Sequence, residues 1–106
     1  MQPIEQALVS FFQQVAQKDE GQLKRLQQEQ RFSMEPGRWC FSLPDLHRFL
    51  QHQDEAFSRI DYRQFRQLIF SSPINQTVKS YGAEITIAHN QGKVDRSSYA
   101  LVWRTP

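Results

Sequence analysis

Apolar residues recur at helical spacing through most of the first 81 positions and switch to strict alternation after residue 82. In residues 3–17, Ile4, Leu8, Phe11, Phe12 and Val15 fall on one face, and Pro3 suits the first position of a helix. The other face is mostly glutamine, as expected of a surface helix that covers a core. A second helix is predicted from Asp19, with Gln22 at the capping-box position, Leu23 and Leu26 on a shared face, and an end near Arg31.

The run after that helix changes period. Phe32 alternates with Met34, Trp39 with Phe41, and Pro36-Gly37 between them fits the centre of a type II turn. This predicts a minor hairpin at 31–41, with an irregular aromatic loop as the alternative. Ser42 then offers a cap to a short helix at 43–52 carrying Leu46, Phe49 and Leu50, and the polar residues 51–55 are expected to form a loop. Asp61 and Gln64 form a full capping-box pattern ahead of Phe65, Leu68 and Ile69. Pro73 opens a last helix that buries Ile74, Val78 and Tyr81 and closes at a left-handed Gly82.

Beyond Gly82 the pattern is that of two strands. Ala83, Ile85 and Ile87 alternate with Glu84, Thr86 and Ala88, and Tyr99, Leu101 and Trp103 alternate with Ala100, Val102 and Arg104. Asn90, Gln91 and Gly92 supply a turn between them. The predicted fold is therefore a single α+β domain over residues 1–106, mainly helical with about five short helices. It ends in a C-terminal antiparallel β-hairpin whose apolar face packs on those helices.

Composition narrows the setting. At 106 residues, with eight Phe, three Tyr and two Trp, the chain has the size and bulky side chains for one buried core. Its fifteen glutamines are dispersed on polar helix faces and form no low-complexity tract. Cys40 has no internal disulfide partner, no secretory leader pattern is present, and no apolar run approaches the roughly 20 residues of a membrane helix. A cytoplasmic chain without membrane association is expected.

Charge is uneven although the net value is only +2. Residues 1–56 carry six Lys or Arg against eight Asp or Glu, whereas residues 57–106 carry seven against three. The order helix, turn, helix, hairpin over 61–104 is loosely similar to the second half of a winged-helix domain. That resemblance implies Arg63, Arg66, Lys79, Lys93 and Arg96 as phosphate contacts, with Asn75, Gln76 and Asn90 available for base edges. The helix in the reading position is short, however, and Asp95 sits between the two basic tip residues.

Other chemistry is thinly represented. Cys40, His47, His52 and His89, plus scattered carboxylates, are the available metal ligands, and His47 and His52, five apart, point about 140° away from each other on a helix. No metal or other cofactor is expected. Cys40 lies between Trp39 and Phe41, a setting for a small buried residue rather than a thiolate, and no glycine-flanked nucleophile is present. Aromatic richness remains. Trp39 and Phe57, beside predicted turns, are the candidates for a contact surface, with Arg59, Arg63 and Arg66 as a neighbouring basic group and Trp103 as a self-association contact.

The leading expectation is a small non-enzymatic interaction domain that binds a protein partner, or itself, through aromatic residues rimmed by arginine. The alternative is a weak nucleic-acid-binding domain using residues 61–104, and an enzyme with a site assembled from distant residues ranks third.

Overall fold

The computed structural model describes residues 4–89, 92 and 98–104. The order of elements is α1 (Ile4–Ala16), α2 (Glu20–Gln28), β1 (Ser33–Glu35), β2 (Arg38–Ser42), α3 (Leu43–Gln53), a 3₁₀ turn (Glu55–Arg59), α4 (Tyr62–Ser71), α5 (Ile74–Lys79), β3 (Ala83–His89) and β4 (Ser98–Trp103). An α+β architecture is present, with the helices and the antiparallel sheet joined in one body. Its radius of gyration, 12.9 Å, matches the roughly 13 Å of a compact chain of this length.

Local chemistry sets most boundaries. Asp61 Oδ1 accepts the Gln64 backbone N–H at 2.8 Å while Gln64 Oε1 accepts the Asp61 N–H at 3.0 Å, so the capping box is complete. Ser42 caps α3, and its hydroxyl donates to Asp45 Oδ2 at 2.9 Å. Gly37 has φ +79°, the angle that follows proline in a type II turn, and Glu35 pairs with Arg38 across it. Gly82 has the same φ and receives its chain from α5, its N–H bonding the Lys79 carbonyl at 3.1 Å.

The two hairpins are not separate. They lie side by side in one four-stranded sheet of order β1-β2-β4-β3, antiparallel throughout. Trp39 lies opposite Leu101 and Phe41 opposite Tyr99, so the inner seam joins residues about 60 positions apart. One face of the sheet carries Trp39, Phe41, Leu101, Trp103 and Ala83, all buried. The opposite face carries small and polar side chains, with Arg38, Val102 and Glu84 in one row and Cys40, Ala100 and Thr86 in the next.

Helix α1 lies on the apolar face. The Phe12 ring sits 6.1 Å from Trp39 and 6.2 Å from Phe41, and Phe11 and Phe32 meet Trp39 edge-on at 6.1 and 5.3 Å. The Trp103 indole N–H donates to the Ala16 carbonyl at 3.1 Å, tying the last strand to the end of α1. On the far side of the core His47 is buried, stacked on Phe65 at 4.7 Å, with Nε2 3.2 Å from the Phe57 carbonyl. A carbonyl only accepts, so Nε2 carries the hydrogen there.

Several expectations are corrected. α2 ends at Gln28 because Glu29 is already extended. Gln22 does not complete a capping box with Asp19; its amide donates instead to Gln14 Oε1 at 2.7 Å, and Gln53 continues that chain to α3 at 3.4 Å. The polar stretch predicted as a loop is helical to Gln53, and Asp54 then caps the 3₁₀ turn through the Ala56 N–H at 2.9 Å. Tyr81 and Ile87, expected inside, are 40% and 59% exposed: Tyr81 follows the end of α5, and Ile87 lies toward the end of β3 beyond the helical cover.

Asp61→Ala is expected to lower stability by about 1 kcal/mol, because the Gln64 backbone N–H at the start of α4 loses its side-chain acceptor. Urea denaturation measures this. An unchanged midpoint would show that water replaces the box at no cost.

Candidate functional site

Helix α4 presents two different faces. At 100° per residue, Phe65 and Ile69 point inward, while Arg63, Arg66 and Phe70 fall within an arc of about 60° on the outer side. Phe65 is fully buried and Phe70 is 60% exposed. On α5, Ile74 and Val78 are buried, which turns Asn75 and Lys79, one helical turn apart, to the outside.

Between these helices and β3 lies an apolar groove of about 460 Å³. Its floor is made by the buried side chains of Phe12, Phe41, Leu43 and Ile74. Phe70 and Ile69 form the α4 wall, and Ile85, Ile87 and Tyr99 form the sheet wall. Phe70 and Ile87 are two of the three large apolar side chains that stand exposed among the described residues, and both line this groove.

The polar residues around the groove are already engaged. Asn75 Oδ1 accepts the Ile85 N–H at 3.1 Å and its Nδ2 donates to the Ile85 carbonyl at 3.5 Å. An α5 side chain thus takes the place of a neighbouring strand at that residue. Ser72 donates its hydroxyl to the Leu68 carbonyl at 2.7 Å. Thr86 also borders the groove, although strand alternation turns its side chain to the other sheet face. Among the described residues the lining holds no charged side chain, so the space accommodates hydrocarbon.

The residues singled out in the sequence separate into three groups. Trp39 and Phe57 are corrected outright as surface contacts: their relative exposures are 0% and 2%, because Phe11 and Phe12 of α1, with Phe32, close over Trp39 and the 3₁₀ turn folds Phe57 against Phe65. Arg59, Arg63 and Lys79 are exposed and Arg66 is half-buried, with Arg63 and Arg66 sharing the α4 face that bears Phe70. Lys93 and Arg96 lie outside the described residues, as does the tip to which they belong. Trp103 is buried at 8% and bonded to Ala16, so it too faces inward.

The helix in the reading position of the winged-helix comparison, α5, has six residues; its Asn75 is committed to Ile85, and the hairpin behind it is built into the sheet through β2. A positive cluster missed in the sequence lies elsewhere. Arg25, Arg31 and Arg48 border two adjoining shallow depressions on α2, α3 and the loop after α2, around Glu29 and His52, with Arg31 also paired to Asp45 at 3.9 Å. They come from the half of the chain with more acidic than basic residues, so counting charge along the chain hides them.

No helix among the described residues is long and apolar enough to cross a membrane. Among those residues no three His, Cys, Asp or Glu side chains gather where they could hold a metal ion. No protein-family model matches the chain, and neither a curated protein nor a solved structure matches it.

Phe70→Ser is expected to change folding stability by no more than about 0.5 kcal/mol, as for a surface site. Phe65→Ala, five residues earlier on the same helix, is expected to cost about 3–5 kcal/mol. Parallel thermal and urea melts of the two variants test the assignment of Phe70 to an outward role.

Proposed function

We propose that the chain is a cytoplasmic, non-enzymatic interaction domain that takes up an apolar segment of a protein partner in the groove between α4, α5 and β3. The observation that carries this reading is the juxtaposition of Phe70 and Ile87, 60% and 59% exposed, above a floor of buried aromatic and aliphatic side chains. Elsewhere the fold hides aromatics as large as Trp39 and Phe57 completely. Leaving two large apolar groups in water on facing walls of one cleft is costly for a monomer, by about 25 cal/mol for each Å² of apolar surface left uncovered. A partner side chain that enters the cleft recovers that free energy. With Asn75 and Ser72 bonded internally, the groove offers a substrate few polar groups for orientation and favours an apolar occupant. The cytoplasmic setting rests on the lone Cys40.

The tagged full chain and its Phe70→Asp and Ile87→Asp variants, each confirmed folded by circular dichroism, are the reagents for the test. Proteins retained from a lysate by the wild type and lost from both variants support the groove; an identical set on all three removes it. Sedimentation of the wild type over a range of concentrations identifies self-association as the alternative occupant.

Weak nucleic-acid binding is a second reading, favoured by the arginines Arg25, Arg31 and Arg48 rather than by the winged-helix-like half. A labelled duplex titrated at low and moderate ionic strength is expected to bind with steep salt dependence and to lose affinity with Arg25→Glu and Arg48→Glu. Absence of binding at low salt rejects this reading.

A further inference from the structure

We infer that the segment received by the groove is an extended strand that pairs its backbone with the free edge of β3 at Ile87, carries apolar side chains at alternate positions, and is acidic at its flanks. The inference rests on the groove being a protein-binding site, as proposed above.

The edge follows from the register. In an antiparallel pair, facing residues alternate between exchanging two hydrogen bonds and exchanging none. Ile85 gives both its N–H and its carbonyl to Asn75, so its pairing with Leu101 is of the second kind. Ile87, two residues on and opposite Tyr99, is in the same phase, before the irregularity between Ile87 and His89. Its backbone N–H and carbonyl therefore point away from β4, along the outer edge of the sheet. Asn75 stops at Ile85, and no described strand lies beyond β3, which leaves Ile87 as the place where an incoming backbone can dock.

The same residue unites backbone and side chain. Ile87 lines the groove with its side chain while its polar backbone faces the open edge. A strand laid there satisfies the edge and delivers every second side chain to the cleft, a spacing that a helix with anchors three and four apart does not reproduce at a sheet edge.

Charge selects the flanks. Arg63 lies on the Phe70 face of α4 about two turns away, and Lys79 lies one turn beyond Asn75 on α5; both are exposed and neither is ion-paired among the described residues. Arg66 stands between Arg63 and Phe70 and is half-buried, with an interaction of its own. Among the described residues, the acid on β3 and the one that opens α4 are committed elsewhere: Glu84 points to the opposite sheet face and pairs with Arg104, and Asp61 caps α4. The two helices that wall the cleft thus carry positive charge one to two turns from its uncharged lining, which complements Asp or Glu at the flanks of the apolar anchors.

A phage-displayed library of random linear peptides, selected on the full chain, provides the probe. Selected peptides are expected to show apolar residues two apart with Asp or Glu alongside. Their affinity is expected to fall about tenfold or more in Phe70→Ser, and several-fold in the Arg63→Glu, Lys79→Glu double variant or on raising salt. N-methylation of successive peptide residues reads the backbone directly, with loss expected at alternate positions. Ile87→Pro, tolerated at an outward-facing edge position and checked for folding by circular dichroism, is expected to match that loss. Peptides that need Phe70 but show helical anchor spacing, or no sensitivity to N-methylation and Ile87→Pro, overturn the strand and leave the groove standing. Basic or uncharged flanks overturn the acidic preference. Peptides indifferent to Phe70→Ser overturn the groove itself, and this inference with it.

Discussion

The pairing of β2 with β4 is the contact on which the rest of the molecule depends. It sets Trp39 against Leu101 and Phe41 against Tyr99, and thereby converts two marginal hairpins into one sheet with a continuous apolar face. Helix α1 has a surface to cover only because that seam exists. The cost of the arrangement is visible at its centre, where the Trp39 indole N–H is buried among aromatic rings with no hydrogen-bond partner. An orphan donor of this kind costs about 1–3 kcal/mol. The surrounding apolar packing, from Phe11, Phe12, Phe32 and Phe41, outweighs it.

The exposed groove is a by-product of how the helices are shared out over that sheet. α1 and the elements around it close the centre completely, whereas β3 lies at an edge and is clipped by a helix side chain at one residue, Ile85. Past that clip the strand still follows its alternation and places Ile87 on the covered side of the sheet, where little cover is left. Phe70 arrives from the other direction, off the buried stripe of α4. The cleft is formed by two elements that each obey their own period and part company before the core is sealed.

Local signals in the sequence located nearly every element. The Asp61 and Gln64 pair, the Pro36-Gly37 turn and Gly82 act through neighbours a few residues away, and each performs the expected role. What could not be read locally was burial set by distant partners. Trp39 and Phe57 adjoin turns, yet Trp39 is covered by the rings of α1 and Phe32, and Phe57 by α4. The joining of the two hairpins into one sheet is hidden for the same reason. The outward position of Phe70 was legible: it lies about 140° around the helix from Phe65, and a count of angular positions along α4 would have separated the two. Lys93 and Arg96 fall outside the described residues; among the described residues, the positive charge near the groove is that of Arg63, Arg66 and Lys79 on α4 and α5.

β4 sits between β2 and β3 although it is the last of the four strands along the chain. Until residues 98–103 are in place, β2 and β3 have no common neighbour, and Trp103 cannot close its bond to Ala16 across 87 positions. Helices capped by their own residues can form early, but the sheet must wait for contacts of high sequence separation, which slows collapse to the native topology. During that delay the aromatic edge of β2 is bare. A nascent or stalled chain is most vulnerable to wrong pairing with its neighbours at that strand.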